Sequence, residues 1–326
     1  LGNAFMYALT MIGIGVVLGI DPIVSQAHGA GDAPRAGLAL QRGLVLSLLL
    51  GISIGGLLLL AEPALLATGQ SAELSREAGV YIRVQAPTMA FFFAFTALRA
   101  WLQGREIVRP ALIAVIAANV LNGLLAWALI FGHLGAPALG IYGAGIATSI
   151  SRVACCLFLV AIVMGLRLQL GGWTPWSRAA LEWQGLREVI GHGAPVGAQL
   201  GLESGAFSLA TLLAGRLGAE STSAHTIALN LASLSFMMPL GIAQAAVARV
   251  GNLVGARRFA EADRAAWVAL GFGALVMLGW AIVFLVLRDS LPLVYTADST
   301  VRTLAAGILP VAAAFHSPLV SDAARP

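Results

Sequence analysis

The sequence has 326 residues, of which 59% are hydrophobic and 10% are charged, and its mean hydropathy is +0.89. Soluble domains carry about 25% charged residues, so the composition excludes a soluble globular protein and indicates a polytopic membrane protein. The net charge of +4 comes from 19 basic residues, all arginine, against 15 acidic residues. So modest an excess is typical of cytoplasmic loops and predicts no nucleic-acid partner.

Apolar segments long enough to cross a bilayer follow one another along the chain. A helix of about 20 residues spans the hydrocarbon core. The predicted spanning helices are 2–27, 37–61, 78–101, 110–132, 139–164, 193–215, 222–248 and 265–287. A shorter apolar segment begins near residue 301 and ends at Phe315. The sequence therefore predicts about eight complete transmembrane helices and part of another.

Arginine is distributed unevenly between alternate connections, and cytoplasmic loops are the ones that carry an excess of it. The richer connections hold Arg35, Arg99, Arg105, Arg109, Arg167, Arg178, Arg187, Arg249, Arg257, Arg258 and Arg264, whereas the alternate connections hold Arg76, Arg216, Arg288 and Arg302. This pattern places the first set in the cytoplasm. The first predicted helix then begins on the outer side, so we expect another helix to precede it.

An internal repeat relates the two halves of the chain by a shift of 226 residues, from Met11 to Met237. Met11, Gly15, Val24, Gly29, Ala30, Ala36, Ala39 and Leu44 meet identical residues at Met237, Gly241, Val250, Gly255, Ala256, Ala262, Ala265 and Leu270. Both copies end a helix at the cytoplasmic side and then reverse into a basic turn. Copies that face the same way imply parallel repeats related by an axis along the membrane normal.

The repeat also predicts the domain organisation. We expect an N-terminal lobe at 1–165, a cytoplasmic linker at 166–192 and a partial C-terminal lobe at 193–326. The complete pattern is two sets of six helices. By this pattern the chain lacks the first helix and about the last two and a half.

Glu203 lies near the middle of the predicted helix 193–215, among apolar and small residues. A charge at that depth costs about 2.5–3.5 kcal/mol on insertion scales, so such a residue is typical of ion or proton handling. We expect it to be buried, where protonation and cation binding can compete. The alternative is a protonated residue that hydrogen-bonds across a helix interface.

Two further charged residues lie within predicted spans. Asp21 is either a second ionisable site or a helix-end acid that reaches Arg35, Arg42 or water. Arg152 is expected to pair with an acid or a carbonyl group, with a structural or a transport role.

Several uncharged residues are candidates for lining a cavity. Gln199 and Asn230 are polar residues that could line it or bind neighbouring helices. Met237 lies in a Phe-Met-Met run that suits either adaptable binding or packing against lipid. The adjacent cysteines Cys155 and Cys156 and the scattered histidines lack metal-ligand spacing, so we predict no metal site.

Five segments in order resemble the multidrug and toxin extrusion (MATE) family, in its bacterial branch. They are GIDPIVSQAHGAGD (19–32), ALRAWLQGREIVRP (97–110), LIFGHLGAPALGIYGAGIATSISR (129–152), GAPVGAQLGLESGAF (193–207) and AHTIALNLASLSFMMPLGIAQAAVARVGNLVGA (224–256). The resemblance implies an all-α fold of twelve helices in two lobes around a central cavity. It also implies export of organic cations and drugs in exchange for Na⁺ or H⁺.

The resemblance also assigns residues. Glu203, eight residues after Pro195, matches the family's carboxylate on the first helix of the second lobe, which binds the coupling ion. Asn122 and Thr148 match polar positions of a first-lobe site, although the family's usual Asn or Asp four residues after Asn122 is Ala126. The family usually carries an acid after a segment like LPVAAAF (309–315), but here HSPLVSDAARP follows, which predicts a truncation or a change of reading frame.

We therefore predict a secondary antiporter that exports cationic or amphiphilic drugs from the cell. It is expected to be a multi-pass, monomeric protein of the inner (plasma) membrane, with no cofactor beyond the coupling ion. One alternative is a flippase for lipid-linked saccharides on a related two-lobe fold. Another is a truncated, non-transporting membrane fragment. An enzyme is not expected, because the sequence offers no nucleophile–base pair and no metal spacing.

Overall fold

The protein is described here from a computed structural model, which describes residues 2–67 and 71–315. Within these ranges the regular structure is helical, without a strand. The α-helices are α1 (Gly2–Leu18), α2 (Asp21–Gly29), α3 (Ala33–Leu58), α4 (Ala61–Ala67), α5 (Ala72–Gln85), α6 (Met89–Gly104), α7 (Arg109–Phe131), α8 (Gly140–Gly165), α9 (Trp183–Arg216), α10 (Ala219–Gly255), α11 (Phe259–Val286) and α12 (Ser299–Phe315). The prediction of an all-α fold is confirmed. The predicted change after Phe315 falls on residues 316–326, outside the described ranges.

Within residues 2–67 and 71–315, six stretches of helix are long and apolar enough to cross a membrane. They are Leu9–Gly29, Ala33–Leu58, Arg109–Phe131, Gly140–Gly165, Glu220–Gly255 and Phe259–Val286. At 34 residues α9 is long enough to span but is not among them. Polar residues, including Gln199 and Glu203, and glycines lower the mean hydropathy of α9.

Two of the predicted continuous helices are interrupted in the structure, each beside a proline. The predicted helix 2–27 is divided into α1 and α2 just before Pro22. The predicted helix 78–101 is divided into α5 and α6 by a short 3₁₀ turn that contains Pro87. Proline has no N–H group and disfavours a helical residue before it. Pro22 and Pro87 each lie in the first turn of the segment after the interruption, where a missing N–H group is tolerated.

The contacts divide the chain into two compact units, one of residues up to 204 together with 251–258, and one of 205–250 with 259 onward. In the first unit α6 supplies the two largest fully buried side chains, Trp101 and Phe93, which pack in one core with Met89 and with Leu40 and Leu58 of α3. The predicted lobe boundaries at 165 and 193 remain a prediction.

The second unit has its own smaller core, formed where α10, α11 and α12 meet. Leu231 from α10, Phe284 from α11 and Leu309 from α12 are buried together there. The small residues Ala224 and Ala305 complete this core and are fully buried. Three helices thus bury one apolar stripe each.

The two turns that end the copies of the internal repeat have the same backbone geometry. After α2 the amide of Asp32 donates to the carbonyl of Ala27 at 2.8 Å, and after α10 the amide of Arg258 donates to the carbonyl of Leu253 at 2.9 Å. Gly31 and Arg257 occupy equivalent positions and both have positive φ, 71° and 59°. Each turn closes its helix with the 6→1 hydrogen bond of a Schellman motif. Equivalent hydrogen bonds at a shift of 226 residues support the repeat.

Part of the predicted linker 166–192 is helical, because α9 begins at Trp183 and the buried residues Leu186 and Val189 extend its packed face. The preceding part is anchored by Gln41 of α3, which is fully buried. The Gln41 amide donates to the carbonyl of Thr174 at 2.9 Å, and its Oε1 accepts from the amide of Ser177 at 3.3 Å.

Arg105, at the C-terminal end of α6, anchors the same linker at a second place. Its guanidinium donates to the carbonyls of Leu168 at 2.7 Å and Leu170 at 3.0 Å, and it lies 4.4 Å from the centre of the Trp101 ring. Burial lowers the pKa of the Arg105 guanidinium from its ordinary value. The linker is therefore held against α3 and α6 by buried polar side chains.

Candidate functional site

Helix α9, which carries Glu203, is positioned by close packing of glycines against α1. Gly193, Gly197 and Gly201 recur every four residues and so lie along one side of α9. A Cβ atom at Gly193 would overlap the backbone of Val16, and one at Gly197 would lie 2.6 Å from the carbonyl oxygen of Ile12. This small-residue contact lets two helices approach as membrane helices commonly do. The sequence analysis missed it, although the spacing of the glycines was a signal for it.

Glu203 lies on a side of α9 that is turned away from this glycine stripe. Gln199, one turn earlier, shares that side because residues four apart are neighbours on a helix. Both side chains are exposed within the chain. The expectation that Glu203 would be buried is therefore wrong, because the described part of the chain leaves its side chain exposed. No described basic residue lies within ion-pair distance of it.

The predicted first-lobe residues Asn122 and Thr148 lie on α7 and α8, which pack against each other. Both side chains are half-buried. The Thr148 hydroxyl donates to the carbonyl of Ala144, one turn earlier, at 2.9 Å. The structure therefore brings the two helices together, but no hydrogen bond joins Asn122 to Thr148 in the described part of the chain.

Arg152 on α8 does not make the predicted pair with an acid or a carbonyl group among the described residues. Its guanidinium carbon lies 5.3 Å from the centre of the Phe92 ring on α6. Its Nη1 is buried without a hydrogen-bond partner among the described residues. A cation over an aromatic face is stabilised by the ring quadrupole, and this contact replaces the expected ion pair.

The predicted cavity residues Asn230 and Met237 lie on α10 in the second unit, and both are exposed. The neighbouring Met238 accepts a hydrogen bond from the indole N–H of Trp280 at 3.4 Å. Gln199 and Arg152 belong to the first unit. The four residues thus divide between the two units.

No three His, Cys, Asp or Glu side chains come together as a metal site within residues 2–67 and 71–315. Of the histidines in these ranges, His133 stacks on Trp127 with the ring centres 4.3 Å apart. Cys155 and Cys156 are free thiols on α8.

The MatE family model matches residues 1–128 and 195–320 of this sequence. The chain belongs to the MatE family. The protein called "Probable multidrug resistance protein NorM" of Mesorhizobium japonicum is 32% identical over 326 residues, which cover 96% of this chain and 69% of the relative. The multidrug resistance protein NorM of Vibrio vulnificus is 32% identical over 308 residues, covering 94% of this chain and 67% of that protein.

The fold of this MatE chain is similar to that of a solved family member, the eukaryotic MATE transporter AtDTX14. The TM-score is 0.84 at 20% sequence identity, and the match covers 96% of this chain and 69% of the solved chain. The resemblance to the MATE family is confirmed. Because the named family members are transporters, the MatE chain is a multi-pass membrane transporter rather than an enzyme.

Proposed function

We propose that this chain is a secondary antiporter that exports cationic or amphiphilic drugs in exchange for Na⁺ or H⁺. The relatives named as multidrug resistance proteins support the substrate class. The proposed location is the inner (plasma) membrane, where the chain acts as a monomer without a cofactor other than the coupling ion.

The observation that carries the proposal is Glu203, an exposed carboxylate without an ion-pair partner on the spanning-length helix α9. An ionised carboxylate near the middle of a membrane-spanning helix is energetically costly and is usually functional. An acid locked to an arginine could not bind and release a cation freely. Glu203 has no such arginine in the described ranges, so it can bind the coupling ion, with Gln199 one turn earlier on the same side.

Alternating access of two lobes is the proposed mechanism, with lobes at 1–165 and 193–326 joined by 166–192. The matching turns after α2 and α10 support two parallel repeats of one supersecondary unit. Binding of the coupling ion at Glu203 would favour one state and binding of drug the other. Such coupling requires a difference in affinity between states of only about 1–3 kcal/mol.

The proposal also assigns a polar site in the first lobe and the residues that line the drug-binding cavity. Asn122 and Thr148 contribute to a polar site in the first lobe. The drug-binding cavity is lined by Gln199, Asn230, Met237 and Arg152. Arg152 lies on α8, Gln199 on α9, and both Asn230 and Met237 on α10.

Efflux of ethidium from membrane vesicles that contain the chain tests the proposal. An imposed Na⁺ or H⁺ gradient should drive efflux, and Glu203→Gln should abolish it, because the amide keeps the shape and loses the charge. Glu182→Gln is the matched control, since Glu182 is an exposed acid just before α9. Its efflux should equal that of the unsubstituted chain.

Other outcomes distinguish the alternatives. Full gradient-driven efflux by Glu203→Gln would refute the role of Glu203. Movement of a lipid-linked saccharide without ethidium efflux would favour a flippase. A chain that inserts in the vesicles and moves neither compound would be a non-transporting membrane protein.

A further inference from the structure

Asp21 is a buried carboxylate at a break in an apolar span. It is the first residue of α2, directly after the interruption that separates α1 from α2 within the span Leu9–Gly29. Its side chain is only 8% exposed. Its Oδ1 atom is buried and has no hydrogen-bond partner among the described residues.

The arginines that the sequence offered as partners for Asp21 are engaged elsewhere. Arg42 Nη1 lies 3.5 Å from Glu188 Oε2, and Arg35 Nη2 lies 3.8 Å from Glu188 Oε1. The expected pairing of Asp21 with either arginine is therefore wrong.

The charged group that acts on Asp21 is Arg99, on the facing helix α6. It lies beyond ion-pair distance, and its own Nε is buried without a partner among the described residues. On α2 itself the other titratable side chain is His28, which is exposed at the opposite end of the helix. Asp21 thus lies in the field of one cation without a bond to it.

We propose that Asp21 is a proton-binding site of this protein, separate from Glu203. An ionised carboxylate only accepts hydrogen bonds, and a buried acceptor without a donor is unfavourable. Addition of one proton from water gives a neutral carboxylic acid, which can donate. Pro22, next to Asp21, has no N–H group to donate to a carboxylate.

A proton fits this site better than a metal ion does. Hard cations require several oxygen ligands, and Asp21 does not belong to a group of three or more His, Cys, Asp or Glu side chains in the described part of the chain. The positive charge of Arg99 also opposes a metal cation. The site therefore takes a proton and is neutral when loaded.

Infrared difference spectroscopy of the full chain in lipid vesicles tests the proposal independently of transport. Isotope-labelled aspartate shifts the carboxyl bands of aspartate away from those of glutamate, so Glu203 does not interfere. As the pH is raised, a protonated aspartate band should disappear from the unsubstituted chain. Above about pH 6, where aspartates of ordinary pKa are ionised, the band should be absent from Asp21→Asn. The control Asp32→Asn changes an exposed helix cap and should keep the band.

Above about pH 6, where other aspartates of ordinary pKa are ionised, a protonated band in Asp21→Asn, or the lack of one in the unsubstituted chain, would overturn the proposal. If Asp21→Asn fails to fold, Arg99→Gln retains the carboxyl group and removes the cation that favours its ionised form. The band should then persist to a higher pH than in the unsubstituted chain, and an unchanged midpoint would refute the site. If Glu203→Gln loses efflux but keeps a normal Asp21 band, proton binding at Asp21 does not depend on the proposed role of Glu203.

Discussion

Gly255 packs against the carbonyl oxygen of Gln26 so closely that a Cβ atom at position 255 would overlap it. The reciprocal contact is also present, because Gly29 packs against the carbonyl oxygen of Asn252 in the same way. A shift of 226 residues converts one contact into the other. This is the reciprocity of a two-fold interface, here between the two copies of a repeat in one chain.

The reciprocal contact predicts that larger side chains at Gly255 are not tolerated. Gly255→Leu should destabilise the protein by about 1–3 kcal/mol, the usual cost of overpacking, because the opposing atoms are main chain and cannot move aside easily. The measurement is the thermal unfolding midpoint in detergent. Gly241→Leu is the matched control on the same helix, since a Cβ atom there meets nothing within 4 Å.

Two results would contradict this interpretation of the contact. One is an unfolding midpoint for Gly255→Leu that equals that of the unsubstituted chain. The other is an equal loss of stability in Gly241→Leu, which would indicate a general intolerance of α10 to leucine.

The glycine stripe of α9 predicts a similar sensitivity at Gly197. Gly197→Val should weaken the packing of α9 on α1, because its Cβ atom would lie 2.6 Å from the carbonyl oxygen of Ile12. We expect faster amide hydrogen exchange in both helices, measured by mass spectrometry. Gly205→Val, two turns further along α9 in open space, should exchange at the rate of the unsubstituted chain. Equal exchange in both variants would argue against the stripe.

The hydrogen bonds of Arg105 to Leu168 and Leu170 predict that this side chain holds the linker between α8 and α9 in place. Arg105→Lys keeps the charge but loses the planar guanidinium that reaches two carbonyl groups and stacks on Trp101. The loss should cost about 1–3 kcal/mol and accelerate amide exchange across residues 166–177. The control Arg109→Lys changes an exposed arginine and should have no effect. Slow exchange retained in Arg105→Lys would show that other contacts hold the linker.

Sequence reasoning predicts the local features of this chain, but it misses tertiary features such as the burial of Arg105 and the exposure of Glu203. The membrane class, most helices and the repeat were predicted, because apolar length and the turn residues are local properties of the chain. The breaks before Pro22 and at Pro87 were missed, although proline chemistry signals them. Arg105 was assigned only as a loop charge, because nothing in its neighbourhood indicates which distant carbonyl groups it will meet.

The sequence by itself determined that this protein is helical, spans a membrane and contains two copies of one unit, since these features follow from hydropathy and from spacing along the chain. Only the tertiary structure decided which side chains are paired. Arg35 and Arg42 lie near Asp21 in sequence, yet they pair with Glu188 on α9. Electrostatic partners depend on which helices become neighbours, and that arrangement is set by packing over the whole fold.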